Sequence, residues 1–548
     1  MEKIKRLIKL FDYYKIDAYV VPKNDEFFNE YIDNNNDKLK FISNFSGSYG
    51  LALIFKKKNY LFVDGRYTLQ AKIQSGKLFT VYTLPKKIPS LILKNKKFNI
   101  GFDPKLHTQR NIDYFFHKTK SNLIPIKDNL IDKIWRNKKK LNYKKFFTLS
   151  KTVTGKSYTG KINSLLKILK KRKIDLHFIS SSENIAWLLN IRGSDCDFSP
   201  LANAYLTVSS NKKINFFCNI KKIDKAFKKK FKQITFIDIK YLDLTLSKIS
   251  NKKVLIDSSS CSIHYEKVLK KYNKILNIID PLYNLKSIKS KTELKNTIKS
   301  HVFDGAALTK FLFWLKKNYK KKNLDEIKAQ KKLFKFRKEN KSFKSLSFPT
   351  ISATGSNGAI IHYKATQNSN KKLKDGNIYL VDSGGQYNFG TTDVTRTISL
   401  NNKNPRIKDI FTRVLKGHIA VSNFKFKKDT CGAHIDKVAR KSLNEVNLDY
   451  AHGTGHGVGY YLNVHEGPQA ISKNNKIRLQ MGMILSNEPG YYEKGKFGIR
   501  IENLIFINKN KQKVFFENLT LAPIDKSLID KKKLTFEEIK WLNNYHKK

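Results

Sequence analysis

Residues 378–400, IYLVDSGGQYNFGTTDVTRTISL, contain two aspartates next to apolar runs, and this stretch decides how the rest of the chain is interpreted. Asp382 follows the apolar run 378–381, which predicts a buried strand. The turn over 384–390 predicts a return through Asp393 in a second strand, and such a hairpin can bring both carboxylates toward one point. An aspartate at a strand end is often a turn cap. A buried carboxylate, however, needs a cation or a hydrogen-bond donor, so the pair together indicates a cation site.

Two glutamates repeat this pattern further along the chain. Glu488 follows the apolar run 483–485, and Glu502 follows Gly498-Ile499-Arg500-Ile501. Arg500 lies two residues before Glu502, which predicts that both side chains share one face of a strand. Arg500 could balance a carboxylate-rich centre or orient a ligand aspartate. The alternative is an ordinary cross-strand salt bridge.

His452 and His456 are four residues apart, a spacing that on a helix would indicate a zinc pair. Glycines at 453, 455, 457 and 459 argue against a helix and favour an extended or looped backbone. In that case only one of the two histidines needs to contact a metal ion.

Four further histidines lie in the same part of the chain. His362 lies in Ile361-His362-Tyr363, and His465 lies in Val464-His465-Glu466. A lone histidine is more often a structural residue than a catalytic one. The nearness of these histidines to the predicted ligands therefore raises the expectation of a catalytic role only moderately. His418 and His434 have no such context and are interpreted as structural.

One imidazole and four carboxylates form an oxygen-rich set that suits two divalent ions. The chemistry expected of such a site is metal-assisted hydrolysis, in which a shared water is acidified and the scissile carbonyl is polarised. The sequence contains no Gly-x-Ser-x-Gly elbow, no phosphate loop and no His-Glu-x-x-His helix. The members of the predicted ligand set are Asp382, Asp393, His456, Glu488 and Glu502.

Length and composition place this set in a large globular chain. At 548 residues the chain is too long for one core, and 40% hydrophobic residues exclude a disordered protein. The longest apolar runs are strand-sized, and the N-terminus lacks the apolar core of a signal peptide, so the prediction is a cytoplasmic protein without a membrane partner. The four scattered cysteines indicate buried thiols rather than disulfides.

The formal net charge of +63 raises the possibility of a nucleic-acid partner. Only 13 of the 108 basic residues are arginine, the residue that makes bidentate contacts with bases and phosphates. The lysines are spread along the whole chain. We therefore predict no specific nucleic-acid partner, although weak nonspecific binding to polyanions is physically plausible.

An internal repeat indicates two related α/β domains before the ligand region. A helix over 8–14 and a strand over 18–21 correspond to a helix over 165–171 and a strand over 176–179. Further strands are predicted at 60–63 and 214–217. The predicted domains are 1–150, 151–290 and 291–548, with a basic linker over about 137–161 and a helix capped by Thr292 at the start of the third.

The ligand motifs, the segment from Ser352 to Tyr363 and the tail motif Leu521-Ala522-Pro523 resemble the pita-bread metallopeptidases, and among them the long, three-domain Xaa-Pro aminopeptidases (aminopeptidase P). The resemblance covers nearly the whole chain. It implies an α/β (α+β) protein with two creatinase-like domains followed by a pita-bread catalytic domain with a C-terminal extension. It also implies a homodimer that removes an N-terminal residue when the second residue is proline.

The same resemblance implies roles for single residues. Asp382 would chelate one ion, usually manganese in this family with cobalt or zinc as alternatives. Asp393 and Glu502 would bridge the two ions, and His456 and Glu488 would complete the second. The remaining roles are contact with the substrate carbonyl or the intermediate for His362 and His465, a proline pocket for His452, proton transfer for Glu488 and an orienting contact for Arg500.

Two other functions remain as alternatives. A prolidase, which cleaves Xaa-Pro dipeptides, is similar at the metal ligands, but the three-domain length argues against it. A noncatalytic pita-bread protein that binds chromatin or RNA is indicated by the charge alone. Such proteins typically lose metal ligands, and this chain keeps all five.

Overall fold

The structure is a computed structural model that describes residues 1–136, 143–321 and 323–548. The chain divides into two compact units, Met1–Ser150 with Lys156–Leu282 and Lys151–Gly155 with Tyr283–Lys548. The described part of the first unit contains two six-stranded sheets and one two-stranded pair, and the second unit contains every predicted ligand residue. The predicted domain boundaries at 150 and 290 stay predictions, and residues 137–142 of the predicted linker lie outside the described residues.

In the first half of the first unit, the described residues form six strands and six α-helices. The sheet has the order β4-β3-β2-β1-β5-β6; β2 is antiparallel to β1 and β3, and the other neighbours are parallel. The predicted helix over 8–14 is wrong, because the buried positions Ile4 and Leu7 place the helix earlier. The strands are β1 Ala18–Pro22, β2 Gly50–Phe55, β3 Asn59–Asp64, β4 Thr80–Leu84, β5 Asn99–Phe102 and β6 Asn122–Pro125. The helices are α1 Glu2–Ile8, α2 Lys38–Ser43, α3 Thr68–Ser75, α4 Pro89–Leu93, α5 Gln109–Phe116 and α6 Leu130–Ile134.

The second sheet repeats the first. Its strands are β7 Phe147–Thr148, β8 Leu176–Ile179, β9 Ile191–Arg192, β10 Tyr205–Ser209, β11 Ile214–Cys218, β12 Ile234–Asp238, β13 Lys253–Ile256 and β14 Lys274–Asn277, of which β7 and β9 form a separate pair. The helices over this stretch of the chain are α7 Lys151–Thr154, α8 Tyr158–Lys171, α9 Ser182–Leu189, α10 Lys225–Lys229, α11 Leu242–Ser247, α12 Ile263–Lys270 and α13 Pro281–Ser287. Of these, α7 and the part of α13 from Tyr283 onward belong to the second unit. The order β12-β11-β10-β8-β13-β14 has the same antiparallel and parallel neighbours as the first sheet. The predicted repeat is thereby confirmed.

The second unit surrounds small antiparallel sheets with long helices. The helices are α14 Lys291–Asn318, α15 Glu326–Lys338, α16 Pro405–Ser422, α17 Gly432–Asn444 and α18 Phe536–Lys547. The strands are β15 Phe343–Leu346, β16 Ile351–Thr354, β17 Ile378–Ser383, β18 Gly385–Tyr387, β19 Gly390–Thr391, β20 Val394–Ser399, β21 Gly455–Gly457, β22 Glu466–Ile471, β23 Ile484–Asn487, β24 Gly490–Glu493, β25 Phe497–Arg500, β26 Asn503–Asn510 and β27 Lys513–Asn518. The sheets are β15-β18-β19, β16-β17-β20, β22-β21-β23-β26-β27 and β24-β25.

Helix capping in the second unit follows the sequence with one correction. Ser290, not Thr292, caps α14, because the Ser290 side chain accepts from the Glu293 N–H while Glu293 accepts from the Ser290 N–H. A capping box of Thr535 and Glu538 starts α18. Among the described residues, no helix is both long and apolar enough to cross a membrane. All four cysteines are buried free thiols, as predicted.

The aspartate region forms a hairpin with an inserted turn. Strand β17 carries Asp382 and pairs with β20 over six residues, as the sequence predicts. Asp393, however, lies just before β20 rather than inside a strand, because β18 and β19 pair with each other and β18 pairs with β15. A Cβ at Gly384 would lie 1.9 Å from the Thr392 carbonyl oxygen, so this crossing requires a glycine.

Candidate metal centre

Three of the predicted ligands converge on one point. One ligand atom from each of Asp393, His456 and Glu502 lies within 4.8 Å of the other two. Asp393 comes from the loop before β20, His456 is the middle residue of β21, and Glu502 lies between β25 and β26. Glu502 is thus outside the strand on which it was predicted to share a face with Arg500. Residues that are 109 positions apart in the chain therefore meet only through the fold of the second unit.

The ring of His456 is held in one orientation. The backbone N–H of His456 donates to the Ser486 hydroxyl at 2.9 Å. Its ring Nδ1 lies 2.8 Å from the Gly457 carbonyl oxygen, which places a proton on Nδ1. Nε2 therefore faces Asp393 Oδ2 at 3.4 Å and Glu488 Oε1 at 3.6 Å. The Ser486 hydroxyl also donates to Glu488 Oε1 at 3.1 Å. This arrangement brings Glu488 into the group and presents Nε2 of His456 to the carboxylates.

Arg500 joins Asp382 to the same group. Its Nη2 donates to Asp382 Oδ2 at 2.6 Å, and its Nε donates to Thr395 Oγ1 at 3.1 Å. The Thr395 hydroxyl in turn donates to Glu502 Oε2 at 2.7 Å. Arg500 therefore contacts one predicted ligand directly and is linked to a second through Thr395, while its orienting role stays a prediction.

The electrostatics of the centre favour a bound cation. Burial, only partly offset by the Arg500 guanidinium, raises the pKa of Asp382 to about 7. Burial and the charges of Asp393 and Glu488 raise the pKa of Glu502 well above its ordinary value, and burial also raises the pKa of Glu488. Burial opposes the charged form of His456, but contacts with Asp393 and Glu488 raise its pKa to about 9. Each of these pKa values is raised because the carboxylates of the centre have too little positive charge near them.

An unsatisfied oxygen tests whether the residues fit a metal ion. Asp382 Oδ1 is buried and has no hydrogen-bond partner among the described residues, while Oδ2 is used by Arg500. Leaving such an atom unpaired costs about 1–3 kcal/mol or more for a charged group. Four carboxylates and one imidazole are ligands that hard or borderline divalent ions accept, so the donor set fits two such ions.

His452 lies in an aromatic wall. Its Nε2 is 2.9 Å from the Tyr492 hydroxyl, its Nδ1 is 2.7 Å from the Gly453 carbonyl oxygen, and its ring centroid lies 4.9 Å from that of Tyr450. Tyr492 accepts a hydrogen bond from Arg500 at 2.6 Å, so His452 is linked to the carboxylate group by one tyrosine. Sequence reasoning missed Tyr492. The signal that could have found it is the pairing of β24 with β25, in which Gly490 lies opposite Arg500. Tyr492 is two residues after Gly490 and is therefore on the same face of the strand pair as Arg500.

The remaining two predicted histidines differ in placement. The ring of His465 lies 4.3 Å from that of His456, edge to face, so His465 borders the centre. His362 is half-buried in a turn after the 3₁₀ helix Gly355–Ala359, whose Gly358 packs directly on Gly498 of β25. His362 therefore lies on a segment that packs against the strand bearing Arg500.

Arg440 on α17 supports the loop that carries His452. Its guanidinium donates to the Tyr450 carbonyl at 2.8 Å, to the His452 carbonyl at 2.6 Å and to Asp436 at 2.7 and 3.1 Å. Asp436 in turn accepts from the Thr454 hydroxyl at 2.7 Å. The guanidinium also lies 3.9 Å from the Tyr450 ring centroid. This one buried side chain thus fixes both ends of the loop over 450–454.

We expect Arg440→Met to destabilise the protein by about 3 kcal/mol, because it leaves the buried Asp436 carboxylate without its cation. The KM for the peptide substrate should rise together with this loss of stability, because the loop that positions His452 becomes less rigid. Urea unfolding and steady-state kinetics measure the two effects. Arg440→Lys, which keeps the charge without the planar fork, should recover part of the stability but little of the substrate affinity. Unchanged kinetics in both variants would contradict a supporting role.

The comparisons with known proteins agree with this geometry along the entire chain. The family model for metallopeptidase family M24 matches residues 295–509, and the model for its C-terminal region matches 513–548. Two models of the creatinase/prolidase N-terminal domain match 3–134 and 137–293.

Relatives with similar sequences cover the whole chain. A probable Xaa-Pro aminopeptidase P of Laccaria bicolor is 38% identical and is aligned over 100% of this chain and 89% of its own length. Xaa-Pro aminopeptidase 1 of Dictyostelium discoideum is 37% identical, with 100% and 92% covered.

Two solved structures resemble this chain to different extents. The X-prolyl aminopeptidase of Caenorhabditis elegans, described as a cytosolic enzyme with a dinuclear active site, is 32% identical with a TM-score of 0.94 and covers 100% of this chain and 94% of its own. The prolidase of Pyrococcus horikoshii is 24% identical with a TM-score of 0.55 and covers 66% of this chain and 99% of its own, which shows a shared fold alone.

Two creatinase-type domains followed by a carboxylate-lined catalytic domain define a metal-dependent peptidase. The chain belongs to metallopeptidase family M24, and within that family to the Xaa-Pro aminopeptidases. The predicted family and fold class are thereby confirmed.

Proposed function

We propose that this protein is a metal-dependent aminopeptidase that hydrolyses the bond between an N-terminal residue and a following proline in peptides. The observation that carries this proposal is the convergence of Asp393, His456 and Glu502, in a chain that matches Xaa-Pro aminopeptidases from end to end. Asp382 and Glu488 contact the same group through Arg500, Ser486 and His456. Proline's tertiary amide and fixed φ make this bond a poor substrate for general peptidases, so a dedicated site is needed.

The ligand assignment follows the resemblance to the Xaa-Pro aminopeptidases, and the convergence of Asp393, His456 and Glu502 supports it. Asp382 would hold one ion together with Asp393 and Glu502, and His456 and Glu488 would complete the second. Manganese is the proposed ion, with cobalt and zinc as alternatives. When bound, the ions acidify the attacking water and polarise the scissile carbonyl.

The chain's own groups would do the remaining work. Glu488, held by Ser486, is placed to accept the proton of the attacking water and to deliver it to the leaving nitrogen. His465 borders the centre and would donate a hydrogen bond to the oxyanion that develops on the carbonyl, with His362 as the second donor. The rings of His452, Tyr450 and Tyr492 would form the wall against which the proline ring packs. Arg500 holds Asp382 and Tyr492 in place.

A cytosolic location and a homodimer belong to the same proposal. The C. elegans structure described as a cytosolic enzyme supports the first. Sedimentation of the purified protein at several concentrations tests the second.

A comparison of peptides tests the substrate class. The kcat/KM for Ala-Pro-Ala should exceed those for Ala-Pro and Ala-Ala-Ala by about 100-fold or more, since differential binding of the proline ring and of the residue after it sets the ratio. Release of alanine is measured by chromatography on protein loaded with manganese. Turnover of Ala-Pro alone would establish a prolidase instead, and equal turnover of all three would contradict the proline pocket.

A further inference from the structure

Glu326, the first residue of α15, is fully buried and accepts hydrogen bonds from four groups. One carboxylate oxygen accepts from the Thr354 N–H at 2.8 Å, and the other accepts from the Tyr363 hydroxyl at 2.8 Å and the Lys371 N–H at 3.0 Å. The Asn357 amide lies 3.0 Å from both oxygens. These contacts fill the acceptor sites of an ionised carboxylate.

This carboxylate is held by neutral donors. Among the described residues Glu326 takes part in no ion pair, so backbone and side-chain dipoles provide its stabilisation. Burial raises the pKa of Glu326 above its ordinary value, and the hydrogen bonds from Thr354 and Tyr363 oppose that rise. Glu326 also uses its main chain, since its N–H donates to the Lys371 carbonyl at 3.0 Å and its carbonyl accepts from Ser352 at 2.7 Å.

All four donors lie within the segment of residues 354–371, where Thr354 ends β16, Gly355–Ala359 form a 3₁₀ helix and residues 360–371 have no helix or strand. Its path is therefore set by side-chain contacts rather than by a sheet or a long helix. His362 lies in the middle of this segment and directly precedes Tyr363. The Tyr363 hydroxyl and the Asn357 amide both also lie 2.8 Å from the Ser369 carbonyl oxygen, which ties the two ends of the segment together.

We propose that Glu326 is the positioning residue for His362, an inference that rests on the proposed role of His362 at the substrate carbonyl. Glu326 touches neither substrate nor metal; it holds the segment that carries the histidine. The 3₁₀ helix packs so closely on β25 that a Cβ at Gly498 would lie 1.8 Å from the Gly358 carbonyl oxygen. A small shift of this segment would therefore move His362 relative to the strand of Arg500.

The test is a double-mutant cycle with Glu326→Gln and His362→Ala. Glutamine keeps one acceptor oxygen and replaces the other with an NH2 group. That NH2 group would face N–H and O–H donors whose hydrogen bonds it cannot accept. We expect Glu326→Gln to lower kcat on Ala-Pro-Ala by about 10-fold or more, with KM changed by less than about 3-fold. In the His362→Ala background the same change should lower kcat by less than about 3-fold. An equal loss in both backgrounds, or no loss in the parent protein, overturns the proposal.

Two controls distinguish a positioning effect from a folding defect: the count of metal-loaded sites and a matched pair of milder variants. Activity is expressed per manganese-loaded site, counted by calorimetric titration, so that unfolded protein does not enter kcat. Tyr363→Phe removes one donor to Glu326 and should also lower kcat. Tyr387→Phe removes a comparable buried contact, 2.7 Å to Asp304, and should leave kcat unchanged. Equal effects of the two phenylalanine variants would show a general packing role and would also overturn the proposal.

Amide exchange separates this inference from the proposed function. Glu326→Gln should speed hydrogen exchange at Thr354 and Lys371 in metal-free protein, whether or not the protein is a peptidase. An inactive parent protein would refute the proposed function. Unchanged exchange in an active parent would refute only the role of Glu326.

Discussion

Removal of the divalent ions is expected to lower kcat/KM on Ala-Pro-Ala by more than about a thousandfold, because water acidification and carbonyl polarisation are lost together. Dialysis against a chelator followed by titration with manganese, cobalt and zinc measures the loss and the recovery. Manganese should restore the highest activity. Full activity in protein shown by elemental analysis to be metal-free would contradict the metal-dependent mechanism.

Metal removal should also give stability an unusual dependence on pH. Because the pKa of Asp382 is raised to about 7 and that of His456 to about 9, the folded metal-free protein keeps protons that the unfolded chain has released. Stability from such groups is present at lower pH and is lost as the pH rises through the folded pKa values. The Tm of metal-free protein should therefore fall between pH 7 and pH 8.5.

The pH window excludes the buried histidines outside the centre. Burial lowers the pKa of His107, His177 and His418 to about 3, so these groups affect stability only below about pH 6.5, and with the opposite sign. Manganese-loaded protein is the control, since the ions replace the protons and its Tm should vary less over the same range. A Tm of metal-free protein that rises with pH would contradict this account of the centre.

Asp393→Asn is expected to lower kcat by about a thousandfold or more while leaving the fold intact. The variant keeps the shape of the side chain but removes a charge that lies 3.4 Å from His456 Nε2 and within the three-ligand group. Metal affinity should fall, because a ligand proposed to serve both ions becomes neutral. Kinetics and calorimetric titration with manganese measure the two losses.

The metal-free Asp393→Asn variant provides a second measurement. Loss of the Asp393 charge relieves its repulsion with Asp382 and Glu502 but also removes its attraction to His456. Because the two effects oppose each other, the variant's Tm without metal should stay close to that of the parent protein. Asp375→Asn, a change at an exposed carboxylate of the same unit, is the matched control and should leave activity unchanged. A large drop in Tm for Asp393→Asn without metal would instead indicate a mainly structural aspartate.

Local sequence patterns were sufficient for the repeat, the family and the list of candidate ligands. The apolar run before Asp382 and the glycines around His456 each indicate a backbone state from a few neighbouring residues. Both α/β domains followed from strands that recur in the same order. The predicted ligand residues and domain boundaries stay predictions, although the structure brings the carboxylates and His456 into one buried group.

Other features could not follow from local patterns. The helix over 8–14 and the cap at Thr292 were misplaced, because burial and a reciprocal hydrogen bond decide helix ends more finely than composition does. Asp393 and Glu502 lie beside strands rather than within them, which periodicity cannot distinguish. Tyr492 and Thr395 were missed because neither has a motif of its own.

The sequence by itself determined which side chains are available, since a carboxylate after an apolar run or a histidine among glycines is a property of neighbouring residues. Only the tertiary structure decided which of them act together. Arg500 reaches Asp382 across 118 positions, and Glu326 holds Tyr363 across 37. The energy of such contacts comes from burial and from hydrogen bonds between distant segments. No single stretch of the chain contains both partners, and therefore no local pattern can specify them.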